Sequence, residues 1–435
     1  MIDMKQLILI ALTALFVISC QDKTMEQYKI LSPTYLTYPD LRKGVKTNYS
    51  SETLRKPGKI YYWNNMLFIN EQGKGVHVID DQTPSQPVFK AFINIPGNID
   101  IAIKDGMLYA DSYIDLVVVD ISDISNIHEV NRVDSTFLYT IPPQTDTLKL
   151  QWDVIDPKKG VVIGYTIKTI EKEMIQQVRN PYPFYTYNSI DKMYTNVASA
   201  QTSVSTSGSS ATSIGFAGSM ARFAITGNTL YVINSSYMLI VFDISIGDKP
   251  NKQTIINTGW NAETIFPYNN NLFIGTQSGM IVYDISDPLQ PKNQSSFWHS
   301  TGCDPVVVNG NNAFITIRSG TTCNNNSVTN RLDVVNIASV TSPYLVKSYT
   351  MSNPYGLGID NNTLFICDGN AGLKIFDATD VTKITDHLLA AYPENKAIDA
   401  IPMGSILLMV GNNGFYQYDY SDLKNIKLLS KIEVK

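Results

Sequence analysis

Short apolar runs separated by Asn, Gly, Asp and Pro dominate the chain from residue 58 onward. One pattern recurs: an apolar strand, an Asn/Gly turn, a second strand, a Gly-bearing loop, then a third strand that ends in Asp and a polar turn. The third-strand copies read Gly75-Val-His-Val-Ile-Asp80, Asp115-Leu-Val-Val-Val-Asp120, Met238-Leu-Ile-Val-Phe-Asp243, Gly279-Met-Ile-Val-Tyr-Asp284, Arg331-Leu-Asp-Val-Val-Asn336, Gly372-Leu-Lys-Ile-Phe-Asp377 and Gly414-Phe-Tyr-Gln-Tyr-Asp419. Their last residues are 40, 123, 41, 52, 41 and 42 positions apart, so the period is near 41. Inside the gap of 123, Trp152-Asp-Val-Ile-Asp-Pro-Lys-Lys-Gly160-Val-Val-Ile-Gly matches the first two strands of a unit, as in Tyr355–Ile366, and reads as an eighth, degenerate copy followed by an insertion over about 167–218. Four short strands per period, bounded by turn residues, predict an all-β chain. The architecture expected is a β-propeller of four-stranded blades, eight blades with seven as the alternative count, and one long insertion. Asn64-Asn65, Asp105-Gly106, Gly227-Asn228 and Asn361-Asn362 supply positive φ at the first hairpins. One blade cannot bury both its faces, so the ring must close. The strand-terminal Asp residues read as turn formers, each accepting backbone N–H bonds from the turn that follows.

At these strands the chain resembles the LVIVD-repeat family, a bacterial group of predicted propellers; Leu116-Val-Val-Val-Asp120 and Leu239-Ile-Val-Phe-Asp243 match the strand that gives the family its name. Phe68-Ile-Asn-Glu-Gln-Gly-Lys-Gly75, Tyr109-Ala-Asp-Ser-Tyr113, Gly302-Cys-Asp-Pro305 and Phe365-Ile-Cys-Asp-Gly369 are similar to stretches of Bacteroides-type lipoproteins of that family. The resemblance spans about 58–435 apart from the insertion. It implies a propeller and an envelope address, and it brings no settled activity.

The N-terminus carries the address. Lys5 precedes the apolar run Leu7–Ile18, 12 residues long. A bilayer span needs about 20, so 1–19 is expected to be a signal peptide. Val17-Ile18-Ser19-Cys20 resembles a bacterial lipobox, which implies a diacylated Cys20 thiol, cleavage after Ser19 and an acylated new amine. Several chains on one residue make a stable anchor. The expected location is the cell envelope, as an outer-membrane lipoprotein, with the leaflet left open. Residues 20–57, rich in polar groups and holding Pro33 and Pro39, read as a tether and N-terminal arm with room for one strand; 58–435 read as the propeller.

Composition narrows the function classes. Lys and Arg number 34 against 39 Asp and Glu, a formal charge of -5. Phosphate contact needs a basic footprint, so nucleic acid is not an expected partner. Charged residues are 17 % of the chain, below the about 25 % usual for a soluble domain, and apolar residues reach 44 %, enough for a large core. The four histidines, His77, His128, His299 and His387, sit in no close ligand spacing, so neither a metal nor another cofactor is expected. No nucleophile elbow or phosphate-binding glycine loop occurs, and Asp111-Ser-Tyr-Ile-Asp115 is only a weak calcium candidate.

Strand direction places the starts of the first strands and the second-to-third-strand loops on one face. Lys59, Asp100, Asp153, Arg222, Glu263, Asp304, Gly356 and Asp399 fall at those starts, and seven of these eight are charged. They predict a polar, mostly acidic funnel at the mouth of the central channel. Asp111, Tyr113, Trp260 and Tyr355 extend this candidate binding face, with aromatic faces suited to sugars or a protein. Pro181-Tyr-Pro-Phe-Tyr-Thr-Tyr187 in the insertion is a candidate partner loop; the Ser/Thr/Gly-rich tract at about 199–219 is expected to bury little. After Cys20, Cys303, Cys323 and Cys367 remain. Cys303–Cys323 is the candidate disulfide, with Cys303–Cys367 as the rival. The function expected is that of a binding or scaffold module for a protein or glycan, held at the membrane by its lipid. The alternative is a polysaccharide-active hydrolase or lyase with Asp100 and Asp304 as acid and base. A scaffold would show an apolar patch on a blade edge or on the insertion.

Overall fold

A computed structural model describes residues 26–50, 52–142, 148, 154–172, 185–186, 216–234, 237–259, 262–299, 302, 305–319 and 330–435. Seven antiparallel sheets, each a meander of four consecutive strands, follow one another as blades I (57–94), II (101–133), III (223–257), IV (262–298), V (306–350), VI (357–392) and VII (397–433). The first strand of every blade lies innermost and packs beside the first strand of the next, and Pro57–Trp63 of blade I meets blade VII. The ring is therefore a seven-bladed propeller, and the count of eight expected from the sequence gives way to seven.

The repeat works as its residues require. Asn64, Asn65, Asp105, Gly106, Gly227 and Asn361 at the first hairpins all have positive φ. The strand-terminal residue of all seven third strands accepts the backbone N–H two residues on: Gln82 to Asp80, Ser122 to Asp120, Ser245 to Asp243, Ser286 to Asp284, Ala338 to Asn336, Thr379 to Asp377 and Ser421 to Asp419, at 2.7–3.1 Å. The carboxylate sits in a local turn, so its repetition is structural. Glycine at the start of the third strand has its own reason. A Cβ on Gly75 or Gly279 would stand 1.9 or 2.0 Å from a carbonyl oxygen of the fourth strand. In each blade the pairing of third and fourth strands slips by one residue near the middle, as at Val282/Tyr283 opposite Ser295 and Asn293. Such bulges bend an edge strand and blunt its capacity to pair with another chain.

Burial of the strand residues supplies the cohesion. Second and third strands are almost wholly buried, as in Met66–Glu71 and Leu407–Val410, whereas fourth strands alternate toward solvent. Tyrosine hydroxyls then tie blade to blade: Tyr109 donates to Gly247 O at 2.7 Å, Tyr231 to Pro288 O at 2.8 Å and Tyr349 to Val381 O at 2.8 Å. The first and last blades share no strand. Their seam is a packed cluster in which Leu54, Ile60, Leu67 and Ile69 meet Ile401, Leu408, Val410 and Phe415. Lys435 N also donates to Leu54 O at 3.0 Å, and Gln417 Nε2 donates to Asp81 Oδ1 at 2.6 Å.

Asp81 makes this seam sensitive to pH. It is 2 % exposed, and burial pushes its carboxyl up to about 6, against the opposing hydrogen bond from Gln417. The unfolded value is 3.8, so the folded state holds the proton more tightly. Its contribution is therefore complete below about pH 4, shrinks as the pH rises toward 6, and is lost above that, an effect of about 2 kcal/mol or less once solvent screening is allowed for. Among the described residues the buried Gln417 Oε1 has no hydrogen-bond partner. Asp81→Asn would offer it an N–H donor and carry no charge. The variant should unfold at a higher temperature than the parent at pH 7.5, with the difference gone at pH 4.5; a variant less stable at pH 7.5 would contradict this assignment.

The degenerate copy does not form a blade. Ile101–Lys104 of blade II lies directly beside Phe223–Thr226 of blade III, so the ring has no slot for it. Val161–Lys172 instead pairs antiparallel with Glu26–Leu36, from Leu36↔Val161 to Glu26↔Lys172. This copy matches only the first two strands of a unit, and its edge is taken by the N-terminal arm. The arm continues through the short helix Tyr38–Leu41, capped by Thr37, to Lys46–Asn48, which joins the outer edge of blade I. It docks on blade II through buried Leu41, Ile114 and Val161. Arg42 grips the fully buried Asp115 with Nε and Nη2 at 2.9 and 3.0 Å.

Candidate functional site

Lys59, Asp100 and Arg222 meet at the starts of the first strands of blades I, II and III. What they do there differs from the expected funnel. Asp100 is 2 % exposed, and its carboxylate accepts from Lys59 Nζ at 2.6 Å, Arg222 N at 2.6 Å, Phe223 N at 3.2 Å and Ile101 N at 2.8 Å. It therefore pins blades I, II and III together. Burial drags the Lys59 ammonium below its ordinary value, with Asp100 pulling the other way. Asp111 Oδ1 accepts from Asn98 Nδ2, Ile99 N and Asp100 N at 2.8–2.9 Å. Asn70 Nδ2 donates to Asn98 Oδ1 at 2.6 Å, extending the network to blade I. Burial pushes the Asp111 carboxyl up to about 6, opposed chiefly by the Arg222 charge. Two neighbouring carboxyl groups, one with a raised pKa, are what a glycosidase needs. Here both are buried and bonded to internal donors.

The channel itself is filled. Residues 216–222, just before blade III, cross the axis of the disc. Phe216 and Ala217 pair with Tyr62 and Tyr61 on the inner edge of blade I. Ser219 Oγ accepts from Leu357 N of blade VI at 3.0 Å, and Met220 packs on Ile398 of blade VII. Ala221 O accepts from Ile265 N of blade IV at 2.8 Å. Ser219, Met220 and Ala221 are each 1 % exposed. The end of the tract expected to bury little is thus a plug.

The remaining described candidates are buried or half-buried. Tyr113, with φ 55°, lies against Gly97, and burial raises its hydroxyl pKa to about 12. The arm and the Val161–Lys172 ribbon cover this part of the face. Asp399 is 0 % exposed; its Oδ1 accepts from Ala400 N at 2.8 Å and stands 2.6 Å from where a Cβ on Gly356 would be. Glu263 and Tyr355 lie on blades IV and VI and are half-buried. Gln277 Nε2 donates to Glu263 Oε1 at 2.9 Å, and the buried Arg318 guanidinium lies 4.0 Å from the Tyr355 ring centroid, a cation–π contact. Burial lowers the Arg318 pKa, against the opposing influences of Tyr355 and Glu263. Asp153, Trp260, Cys303, Asp304 and Cys323 lie outside the described residues, as do Cys20 and the 181–187 cluster apart from Tyr185 and Thr186. Cys367 is a free, fully buried thiol whose pKa burial raises well above the ordinary value, with Asp399 and Asp368 adding to the shift, so the rival Cys303–Cys367 bridge is not formed.

The weak calcium candidate is also corrected. Asp111 is filled by N–H donors, and Asp115 by Arg42, Arg132 and Ser135 N, a positive environment that repels a cation. Among the described residues no group of three His, Cys, Asp or Glu could hold a metal ion. His77 is buried, with Nε2 3.3 Å from Glu71 Oε2. No helix among the described residues is long and apolar enough to cross a membrane. On the outer rim, Trp298, Tyr344 and Leu345 of blades IV and V are 59 %, 60 % and 47 % exposed. The sequence reading missed the plug and its consequence; the apolar pair Met220-Ala221, directly before a first strand, was the available signal.

Residues 99–135, which span blade II, match the model of the LVIVD repeat. Two solved structures align with almost the whole chain. The computationally designed Ika8 protein is 10 % identical with a TM-score of 0.50, over 90 % of this chain and 91 % of that one. A protein from Lactobacillus plantarum is 12 % identical with a TM-score of 0.52, over 87 % and 96 %. At such identities they establish the fold alone. No curated protein matches the chain. Fold and repeat together define a β-propeller with an LVIVD repeat, an architecture that suggests a binding or scaffold module.

Proposed function

We propose that this protein is a lipid-anchored binding module of the cell envelope, a rigid disc that presents its loop-rich face and rim to a protein or glycan. The observation that carries this reading is the plugged axis. Asp100 is spent on bonds between three blades, and Asp111 and Asp399 are buried and bonded within their own blades, which leaves the outer surfaces for recognition. The exposed Trp298, Tyr344 and Leu345 favour a scaffold role in addition, since such rings are common at interfaces.

The anchor rests on the apolar run Leu7–Ile18 and on Ser19-Cys20. Cys20→Ala should move the protein from the membrane fraction to the soluble fraction and remove the acyl mass from its N-terminal peptide. A variant that stays in the membrane fraction would overturn the lipid anchor. Binding is tested by retention of isolated envelope glycan and envelope proteins on the immobilised full chain, with turnover of the same glycan followed in parallel. Glycan cleavage would replace the binding reading by the enzymatic one.

A further inference from the structure

The Lys46–Asn48 strand, segment 52–55 and the second-to-third-strand loop of blade I enclose a hollow of about 400 Å3, within the size range of small-ligand sites. Lys46, Arg55 and Lys74 line it and are exposed. Among the described residues none of these three side chains makes a hydrogen bond or an ion pair. The two carboxylates in the wall are turned to other uses. Glu71 accepts from Arg55 N at 3.0 Å, Lys56 N at 2.8 Å and lies 3.3 Å from His77 Nε2. Glu52 accepts from Asn48 Nδ2 at 2.9 Å. Three cations against two carboxylates leave a local charge of +1 on a chain whose total is -5.

The rest of the lining is specific in kind. The half-buried Phe92 ring forms an apolar wall, with the His77 ring centroid 4.8 Å away. Asn48 and Asn94 bring amide groups. The Thr47 hydroxyl is already tied to Ile127 O of blade II at 3.0 Å, which fixes the strand that carries Lys46 and Asn48. Side chains alternate along a strand, so these two project to the side opposite Thr47. An aromatic wall, amide groups and unpaired cations suit a ring with an apolar face, hydroxyls and a carboxylate. We propose that this hollow binds an acidic saccharide, its carboxylate received by Lys46, Arg55 and Lys74 and its ring face laid on Phe92. The inference deepens the glycan reading and rests on it.

The test is titration calorimetry on the purified full chain in detergent with digalacturonate, a neutral galactose disaccharide and inorganic phosphate. Digalacturonate should bind at one site, with an affinity that falls as salt rises, and the neutral sugar should bind at least about tenfold more weakly. Lys46→Ala/Arg55→Ala/Lys74→Ala should weaken digalacturonate at least about thirtyfold without moving the thermal midpoint, since all three side chains are exposed. Phe92→Leu should weaken it about fivefold or more. The assignment fails if digalacturonate does not bind, if the neutral sugar binds equally well, or if phosphate alone binds as tightly as the sugar acid. Digalacturonate binding that survives the triple substitution would remove the site from this hollow while leaving the module reading intact. The module reading falls separately, if the immobilised chain retains neither envelope glycan nor envelope protein.

Discussion

Asp100→Ala is expected to lower the free energy of unfolding by about 3–5 kcal/mol, the cost of stranding a buried charge without its partner. The substitution leaves the Lys59 ammonium, 5 % exposed, beside Arg222 with only the weaker influence of Asp111 to offset it, and takes the acceptor from the N–H groups of Ile101, Arg222 and Phe223. A domain typically has about 5–15 kcal/mol in total, so the loss should be evident in urea unfolding. Lys59→Met in the same chain should recover a large part of it, because the stranded charge is then gone. The enzymatic alternative makes a different demand on this residue: full stability with loss of glycan cleavage. Measuring unfolding and turnover on the same variant separates the two. A stability within about 0.5 kcal/mol of the parent would sink the structural role assigned here.

Removal of residues 427–435 is expected to abolish cooperative folding. Those residues form the last strand of blade VII, contribute Ile432 and Val434 to the seam with blade I, and donate the Lys435 N–H to Leu54 O. No strand is exchanged between the first and last blades, so closure depends on side-chain packing and a few hydrogen bonds. Blades stabilise one another through their contacts, and an open ring exposes two apolar faces. The milder Phe415→Ala, at a position 0 % exposed in that seam, should cost about 3–5 kcal/mol. Circular dichroism and urea titration read both. A truncated chain with the parent spectrum and a single sharp transition would show that the seam is dispensable.

Most of the architecture could be read without coordinates, for local reasons. Short apolar runs of four to six residues, with Asn, Asp and Gly turn residues between them, have few alternatives to antiparallel meanders. The strand-terminal Asp residues were assignable because an Asx turn needs only a carboxylate and an N–H two residues on. Blade number was not so constrained. The copy at 152–164 has the pattern of two strands, and pattern alone does not say which edge those strands will meet. The N-terminal arm, over 120 residues away in sequence, won that competition.

The candidate site shows the same division. That Lys59, Asp100 and Arg222 lie at the starts of three neighbouring first strands followed from strand direction. That Asp100 is bonded by two other blades, that Asp111 holds a turn, and that 216–222 fills the opening followed from contacts between residues far apart in the chain. The same holds for the hollow beside Phe92, whose cations come from the arm and from two segments of blade I and its approach. By itself, then, the amino-acid order determined the strands, their turns, the repeat and the face on which the charged positions lie, because each depends on neighbours a few residues away. Tertiary structure alone decided the seven-fold closure, the closed axis and which charges were left unpaired, because a buried charge is either neutralised or exposed only by what the rest of the chain brings to it.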